Sequence, residues 1–291
     1  LTMERPRSLA ELCQLCATRA AVQQRTVLLA GGTDFMVELK QSPVADGDDE
    51  LPLVADICRL RELRGIDWDG RTVRIGAANT FAEIGADAIV RDRLPLVARM
   101  THDIGGPTIQ ARGTLGGNIA TASPAADAVA AIAALDAVIV VQSVRGPRRI
   151  PFAELQTGYK QSTLAADEVI VAVEIAPPAP HAIWMWRKVG ARRAQAISKV
   201  AIAAWAEVGP RRVTRFGTAV ASVAPVTALM GRTRALVAGA ALGSLSEQAV
   251  DAAVDADIRP IDDLRSTRLY RAHCTRALMR GFLREIGALG S

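Results

Sequence analysis

Two glycine pairs, Gly31-Gly32 and Gly116-Gly117, restrict the folds open to this chain more than any other feature. The first pair closes an apolar run, Thr26 to Ala30, and precedes a second apolar stretch containing Phe35, Met36, Val37 and Leu39. That order predicts a strand running into a tight turn and then into a helix. The second pair lies in Thr114-Leu115-Gly116-Gly117-Asn118 and is followed by Thr121, Ser123 and Asp127. Glycine lets backbone approach a ligand closely and lets successive N–H groups converge on an anion. Neither loop interior contains Lys or Arg, so a phosphate held there would be held by main-chain dipoles. A tight turn without a ligand explains the first pair equally well. Around the second, five polar side chains within fourteen residues exceed what a turn requires. Neither turn fits a Walker loop, which needs Gly-Lys-Ser/Thr, or a GxGxxG fingerprint. Together they could clamp a pyrophosphate from both sides.

The surrounding pattern supplies the elements. Apolar spacing, with Ser8 as N-cap, predicts a helix over 8–22. Residues 42–50 are a loop by composition. Strands are expected at Leu53 to Asp56 and Thr72 to Ala77, and helices over 81–90 and 94–101. Ser123-Pro124 is expected to open an Ala-rich helix reaching about Leu135, with Ser123 as N-cap and Pro124 in the first helical position. Ala137 to Gln142 and Val169 to Ile175 read as buried strands. The Pro-rich stretch Ala176 to Pro180 marks a boundary between residues 1–176 and 177–291, the first part dividing again at about 55. Beyond it come strands at about 183–189, 199–208 and 213–223, then helices over 227–240, 244–255 and 264–286, an α+β order.

Composition narrows the function classes. Half of the 291 residues are hydrophobic, which excludes disorder. The net charge of +5 comes from 35 basic and 30 acidic side chains, of which only Lys40, Lys160, Lys188 and Lys199 are lysines. The arginines are dispersed along the chain, whereas nucleic-acid binders concentrate basic charge on one face, so no nucleic-acid partner is expected. The longest apolar run, Ala128 to Val141, is broken by Asp136 and falls short of the ~18 residues of a spanning helix. Glu11, Gln14 and Arg19 interrupt the N-terminal apolar residues, so no leader peptide and a cytoplasmic location are expected. Cys13 and Cys16 share one helical face with Leu9 and Leu12 and read as buried thiols; with Cys58 and Cys274 they are too few for a metal site. His102, His181 and His273 are isolated, and no catalytic residue is assigned.

Three stretches carry a resemblance: LLAGGTDF (28–35), RGTLGGNIATASPAAD (112–127) and RKVGARRAQAISKV (187–200). Over nearly its whole length the chain resembles the FAD-binding medium subunit of the molybdenum hydroxylases, the xanthine dehydrogenase and carbon monoxide dehydrogenase family. The resemblance implies an α+β protein: a PCMH-type FAD-binding domain of two α/β subdomains, then a C-terminal domain with a small antiparallel sheet and helices. Leu29, Ala30, Gly31, Gly32, Thr33, Asp34 and Phe35 would wrap the FAD diphosphate. Thr114, Gly116, Gly117, Asn118, Thr121 and Ser123 would complete the clamp, and Asp127 would hydrogen-bond the cofactor. Ile104 stands where the family often places a larger side chain near the flavin ring. Ile170 would offer backbone contacts, and Lys188 would reach FAD from the C-terminal domain. On the residues alone, Asp127 also suits the first turn of a helix, Lys188 a strand surface, and Ile170, Trp184 and Trp186 a core.

By the same resemblance the activity is electron transfer from [2Fe–2S] clusters through FAD to NAD or another acceptor. Molybdopterin and the clusters would belong to partner subunits, a small [2Fe–2S] subunit and a large molybdenum subunit, in a dimer of heterotrimers. The third motif points to xanthine or another N-heterocycle as substrate. Two other classes stay open at this point: a stand-alone flavin-dependent oxidase or reductase, and a basic nucleic-acid-binding module.

Overall fold

In the computed structural model, which describes residues 2–41 and 53–290, the glycine turns sit where two layers meet. The loop expected over 42–50 lies outside the described residues. Met3–Glu4 (β1), Thr26–Leu29 (β2) and Leu53–Asp56 (β3) form a parallel sheet in the order β1-β3-β2. Leu9–Ala21 (α1) starts where expected, because the Ser8 hydroxyl accepts from the Glu11 N–H at 3.1 Å. Its Leu12, Cys13 and Cys16 are buried on one face, and all four cysteines are free thiols. Phe35–Gln41 (α2) follows the first glycine turn.

The next strands are Ile66–Trp68 (β4), Val73–Gly76 (β5), Val138–Ser143 (β6) and Gly146–Pro151 (β7), a small hairpin of Gln156–Gly158 (β8) and Gln161–Ser162 (β9), and Val169–Ile175 (β10). An antiparallel sheet in the order β4-β5-β10-β6-β7 results. Its central strands, β10 and β6, are buried on both faces. Ile139, Val141, Val173 and Ile175 enter the central core, while Val140, Val169 and Val171 pack against α1 and β3. That is why β10 reads as an unbroken apolar run rather than an alternating one.

Helices fill the space between this sheet and the next: Phe81–Ala86 (α3), Ala88–Arg93 (α4), Pro95–Thr101 (α5), Pro107–Gln110 (α6), Leu115–Ala120 (α7) and Asp127–Ala134 (α8). Two expectations need correction. The helix expected over 81–90 breaks at Asp87, which adopts an extended conformation and caps α4 by accepting from the Val90 N–H at 3.0 Å. Ser123 is not a helix cap: its hydroxyl accepts from the Ala125 N–H, and α8 begins only at Asp127. The delay has a cause, because the chain turns at Ala122 (φ 48°) and presents the Pro124 carbonyl to the Ser222 N–H at 2.7 Å.

After Ala176–Pro180 the chain enters a three-stranded antiparallel sheet, Ile183–Val189 (β11), Val200–Val208 (β12) and Val213–Ala221 (β13). On β12, Ala201, Ala203 and Trp205 face α8 and the central core. Val200, Ile202, Ala204 and Ala206 face the outer helices Gly231–Val237 (α9), Glu247–Asp257 (α10) and Arg268–Glu285 (α11). α8 is therefore enclosed on all sides, and its alanines allow the close approach. The Trp205 indole donates to the Ala134 carbonyl at 2.7 Å, and a Cβ on Gly217 would lie 2.4 Å from the same oxygen. Among the described residues, no helix is long and apolar enough to cross a membrane.

Candidate cofactor site

The two glycine turns touch. A Cβ on Gly31 would lie 1.9 Å from the Arg112 carbonyl oxygen and 3.0 Å from the Gly113 Cα, so only glycine fits there. Gly32 has φ +74°, a conformation that glycine adopts without strain. The Thr121 hydroxyl donates to Asp34 at 2.9 Å and joins the ends of the two motifs. The second turn is anchored to β5 and the segment after it: Gly116 N–H donates to the Ala77 carbonyl at 2.8 Å and Leu115 N–H to the Asn79 carbonyl at 3.2 Å. A Cβ on Gly116 would meet the Ala77 methyl at 2.7 Å. Thr114 caps α7 by accepting from Gly117 N–H at 3.2 Å.

The backbone N–H groups of Gly31, Gly32, Thr33 and Asp34 donate to no described residue. Four consecutive main-chain donors left open beside a glycine turn make an anion cradle. They adjoin a cleft of about 330 Å³ lined by Ala30, Gly31, Cys58, Arg64, Arg112 and Thr114. Arg112 has no ion-pair partner among the described residues, whereas Arg64 is bound to Glu83 at 2.9 Å. The Asn118 side-chain oxygen is buried without a hydrogen-bond partner, an arrangement that costs free energy until a donor reaches it. These features suit a dinucleotide whose diphosphate is met by backbone. Cys58 shapes the rim, its thiol donating to the Ala30 carbonyl at 2.7 Å. Burial, and then the neighbouring Asp56 carboxylate, push that thiol's pKa up and keep it a neutral donor.

A second polar group lies where α8 meets β11. Lys188 reaches across to Asp127 at 2.5 Å and to the Asp103 carbonyl at 2.7 Å, with both charged side chains almost buried. The Ser198 hydroxyl, itself buried, donates to the other Asp127 oxygen. The Trp186 indole donates to the Asp103 carboxylate at 2.8 Å. Burial pushes the Asp127 carboxyl pKa up, opposed by Lys188 and then by Ser198. The Asp127 carboxylate thus lies in the first turn of its helix and ties β11 to the central layer.

Most residues expected to bind cofactor therefore converge on one of two places. Those from Leu29 to Phe35 meet those from Thr114 to Thr121 at the glycine contact, and Asp127 meets Lys188. Ile104 and Ile170 do not join them with their side chains, which are both buried in the central core. At Ile170 the ladder to β6 shifts register before Ala172, and the Val171 carbonyl accepts from Ala77 N–H. Sequence reasoning did not single out Asp103, Ser198, Cys58 or Arg112. Ser198 and Arg112 sit inside the quoted motifs, but their partners lie 71 and about eighty residues away in sequence, and nothing local marks such pairs. Among the described residues, no cluster of His, Cys, Asp or Glu could hold a metal ion.

An open main-chain cradle, a second glycine turn locked against it and an adjoining cleft define a carrier of a nucleotide cofactor. Comparison with known proteins identifies the cofactor. Residues 1–178 match the family model for the FAD binding domain in molybdopterin dehydrogenase, and residues 186–286 match that for the CO dehydrogenase flavoprotein C-terminal domain. The chain is 30% identical over 261 residues to the putative xanthine dehydrogenase FAD-binding subunit of Escherichia coli K12, covering 89% of this chain and 87% of that one. It is 34% identical over 176 residues to the nicotinate dehydrogenase FAD-subunit of Eubacterium barkeri, covering 60% and 58%. A solved carbon monoxide dehydrogenase from Hydrogenophaga pseudoflava, lacking the Mo-pyranopterin moiety of its molybdenum cofactor, superposes with a TM-score of 0.88 at 27% identity, over 99% of this chain and 96% of that one. The chain belongs to the family of FAD-binding subunits of molybdenum hydroxylases. It is an oxidoreductase subunit of the FAD-dependent kind.

Proposed function

We propose that this chain holds FAD between its two glycine turns and serves as the electron-transfer subunit of a molybdenum hydroxylase complex. The observation that carries this reading is the run of open N–H groups from Gly31 to Asp34, held against Arg112 and Gly113. Gly31 to Phe35 and Thr114 to Ser123 would hold the diphosphate, with Asn118 supplying an acceptor. Asp127 and Lys188 would face the cofactor from α8 and β11. FAD, when bound, supplies the redox chemistry that receives electrons from [2Fe–2S] clusters of a small partner subunit and delivers them to NAD or another acceptor. The protein's own part is to bind, to orient and to set the local charge. Substrate oxidation would take place at a molybdenum centre on a large partner subunit, in a dimer of heterotrimers in the cytoplasm. Relatives named for xanthine and nicotinate support an N-heterocycle as substrate. The division near residue 176 would separate the FAD-binding part from a C-terminal part that closes on it through Lys188.

The test is the absorbance of flavin extracted from the complex purified with its co-expressed partners, since the [2Fe–2S] clusters of the intact complex absorb in the same range. Flavin absorbance, lost when Gly117→Val is introduced, is the expected result. A Cβ at Gly117 would crowd the Thr114 hydroxyl at 2.9 Å. A wild-type complex without extractable flavin, or full flavin content in the variant, contradicts the proposal.

A further inference from the structure

Near the start of α11, Arg271 is only 3% exposed, and it is the most deeply buried charged residue among those described. A guanidinium does not shed its charge, so it is tolerated in a core only where its N–H groups find acceptors. One arm donates to the Asp263 carboxylate at 2.8 Å. The other donates to two carbonyls at once, Ser222 at 2.7 Å and Lys199 at 2.9 Å. An apolar side chain would fill the same space at a lower desolvation cost. What it could not do is hold two carbonyls that belong to different strand ends.

Both strand ends grip the turn that leads into α8. β12 and β13 pair with Ala201 opposite Ala221, so Lys199 and Ser222 meet at one end of that sheet. Lys199 N–H donates to the Val189 carbonyl at 2.8 Å, one residue from Lys188. Ser198, the residue before Lys199, donates its hydroxyl to Asp127. Ser222 N–H donates to the Pro124 carbonyl at 2.7 Å. Ser222 also has φ 70°, a left-handed backbone that a residue with a Cβ keeps only when its surroundings hold it. Its hydroxyl is buried without a hydrogen-bond partner, so the side chain does nothing to offset the strain. The backbone is held instead, the N–H by Pro124 and the carbonyl by Arg271.

We propose that Arg271 is a positioning residue for the cofactor site, acting through Lys199 and Ser222 on the turn over residues 123–127. By fixing Lys199 it sets Ser198 against Asp127 and steadies β11 beside Lys188. By fixing Ser222 it sets the Pro124 carbonyl, and with it the start of α8. This inference rests on the proposed function, which places Ser123, Asp127 and Lys188 against FAD.

The experiment compares wild type, Arg271→Lys and Val254→Ala in the full chain co-expressed with its partners. Lysine keeps the charge but not the fork. Val254 is fully buried among the outer helices, so its truncation weakens that core and leaves both carbonyl contacts in place. FAD affinity should fall about tenfold in Arg271→Lys and hold in Val254→Ala, at similar losses of melting temperature. In a Ser198→Ala background the Arg271→Lys loss should shrink to about threefold, because residues on one path do not add. Amide exchange over 122–128 and at Ser222 should quicken in Arg271→Lys and not in Val254→Ala, with or without FAD. If Arg271→Lys does not fold, Asp263→Asn, which frees one arm of the guanidinium, should show the same exchange pattern at smaller amplitude. Unchanged FAD affinity in Arg271→Lys, an equal loss in Val254→Ala, full additivity with Ser198→Ala, or unaltered exchange would each overturn the proposal. A wild type without FAD affinity would instead contradict the proposed function, and the exchange comparison would still decide whether Arg271 fixes the turn.

Discussion

A Cβ on Gly31 would stand 1.9 Å from the Arg112 carbonyl oxygen, closer than any real side chain tolerates. The two motifs touch through backbone alone, and the obstructing atom is a carbonyl that cannot swing aside. Gly31→Ala must therefore push the turns apart. The expected cost is about 3 kcal/mol, the upper end for overpacking a fixed contact. FAD affinity should fall at least tenfold because the N–H groups lose their common direction. Urea unfolding reads the first effect and flavin fluorescence titration the second.

Removing Lys188 leaves Asp127 buried without its cation. Lys188→Met should destabilise the chain by roughly 3–5 kcal/mol near neutral pH, the range for breaking a buried pair. Because burial already raises the Asp127 pKa, protonation relieves the unpaired charge, so the deficit should shrink as pH falls. Adding Asp127→Asn should recover much of the loss at neutral pH. Unfolding curves of the single and double variants across pH check this.

Gly281 presents the opposite case. It lies on the exposed face within α11, and a Cβ there would meet nothing within 4 Å. Gly281→Ala should stabilise the chain by about 0.5–1 kcal/mol through helix propensity alone. A rise in melting temperature with unchanged FAD content is the expected result.

Cys16 should be unreactive in the folded chain. Burial, then the neighbouring Cys13 and Asp167, push its pKa up to about 11, so the thiolate is scarce at neutral pH. Its folded pKa is raised, so the protonated thiol favours the native state below the ordinary thiol pKa, and that support is lost as pH rises through about 11. Thiol labelling should reach the half-buried Cys58 and Cys274 before Cys16, which should react only on unfolding or at strongly alkaline pH.

Much of the fold was legible because its central strands are buried on both faces. β3 and β10 fall on the ranges expected, Leu53–Asp56 and Val169–Ile175, where apolar runs end at Asp56 and just before Pro177. Ser8 acts as the N-cap its position implied. Ser123 does not, since a distant strand end needs the Pro124 carbonyl, and a demand made through Ser222 leaves no mark near residue 124. The same limit governs the site. The glycine pairs signalled their need for backbone access locally, and the motif resemblance singled out Asp127 and Lys188. That these two bind each other, with Ser198 holding the second carboxylate oxygen, depends on β11 and β12 crossing α8, which no local pattern encodes.

The account depends on the two glycine turns forming one FAD clamp. The most direct measurement is the ratio of FAD to protein, by extraction and chromatography, in the complex purified with wild-type chain and with Gly31→Ala. Stoichiometric FAD in wild type and a near-complete loss in a variant that still folds is the expected result. Stoichiometric FAD in both would contradict the clamp.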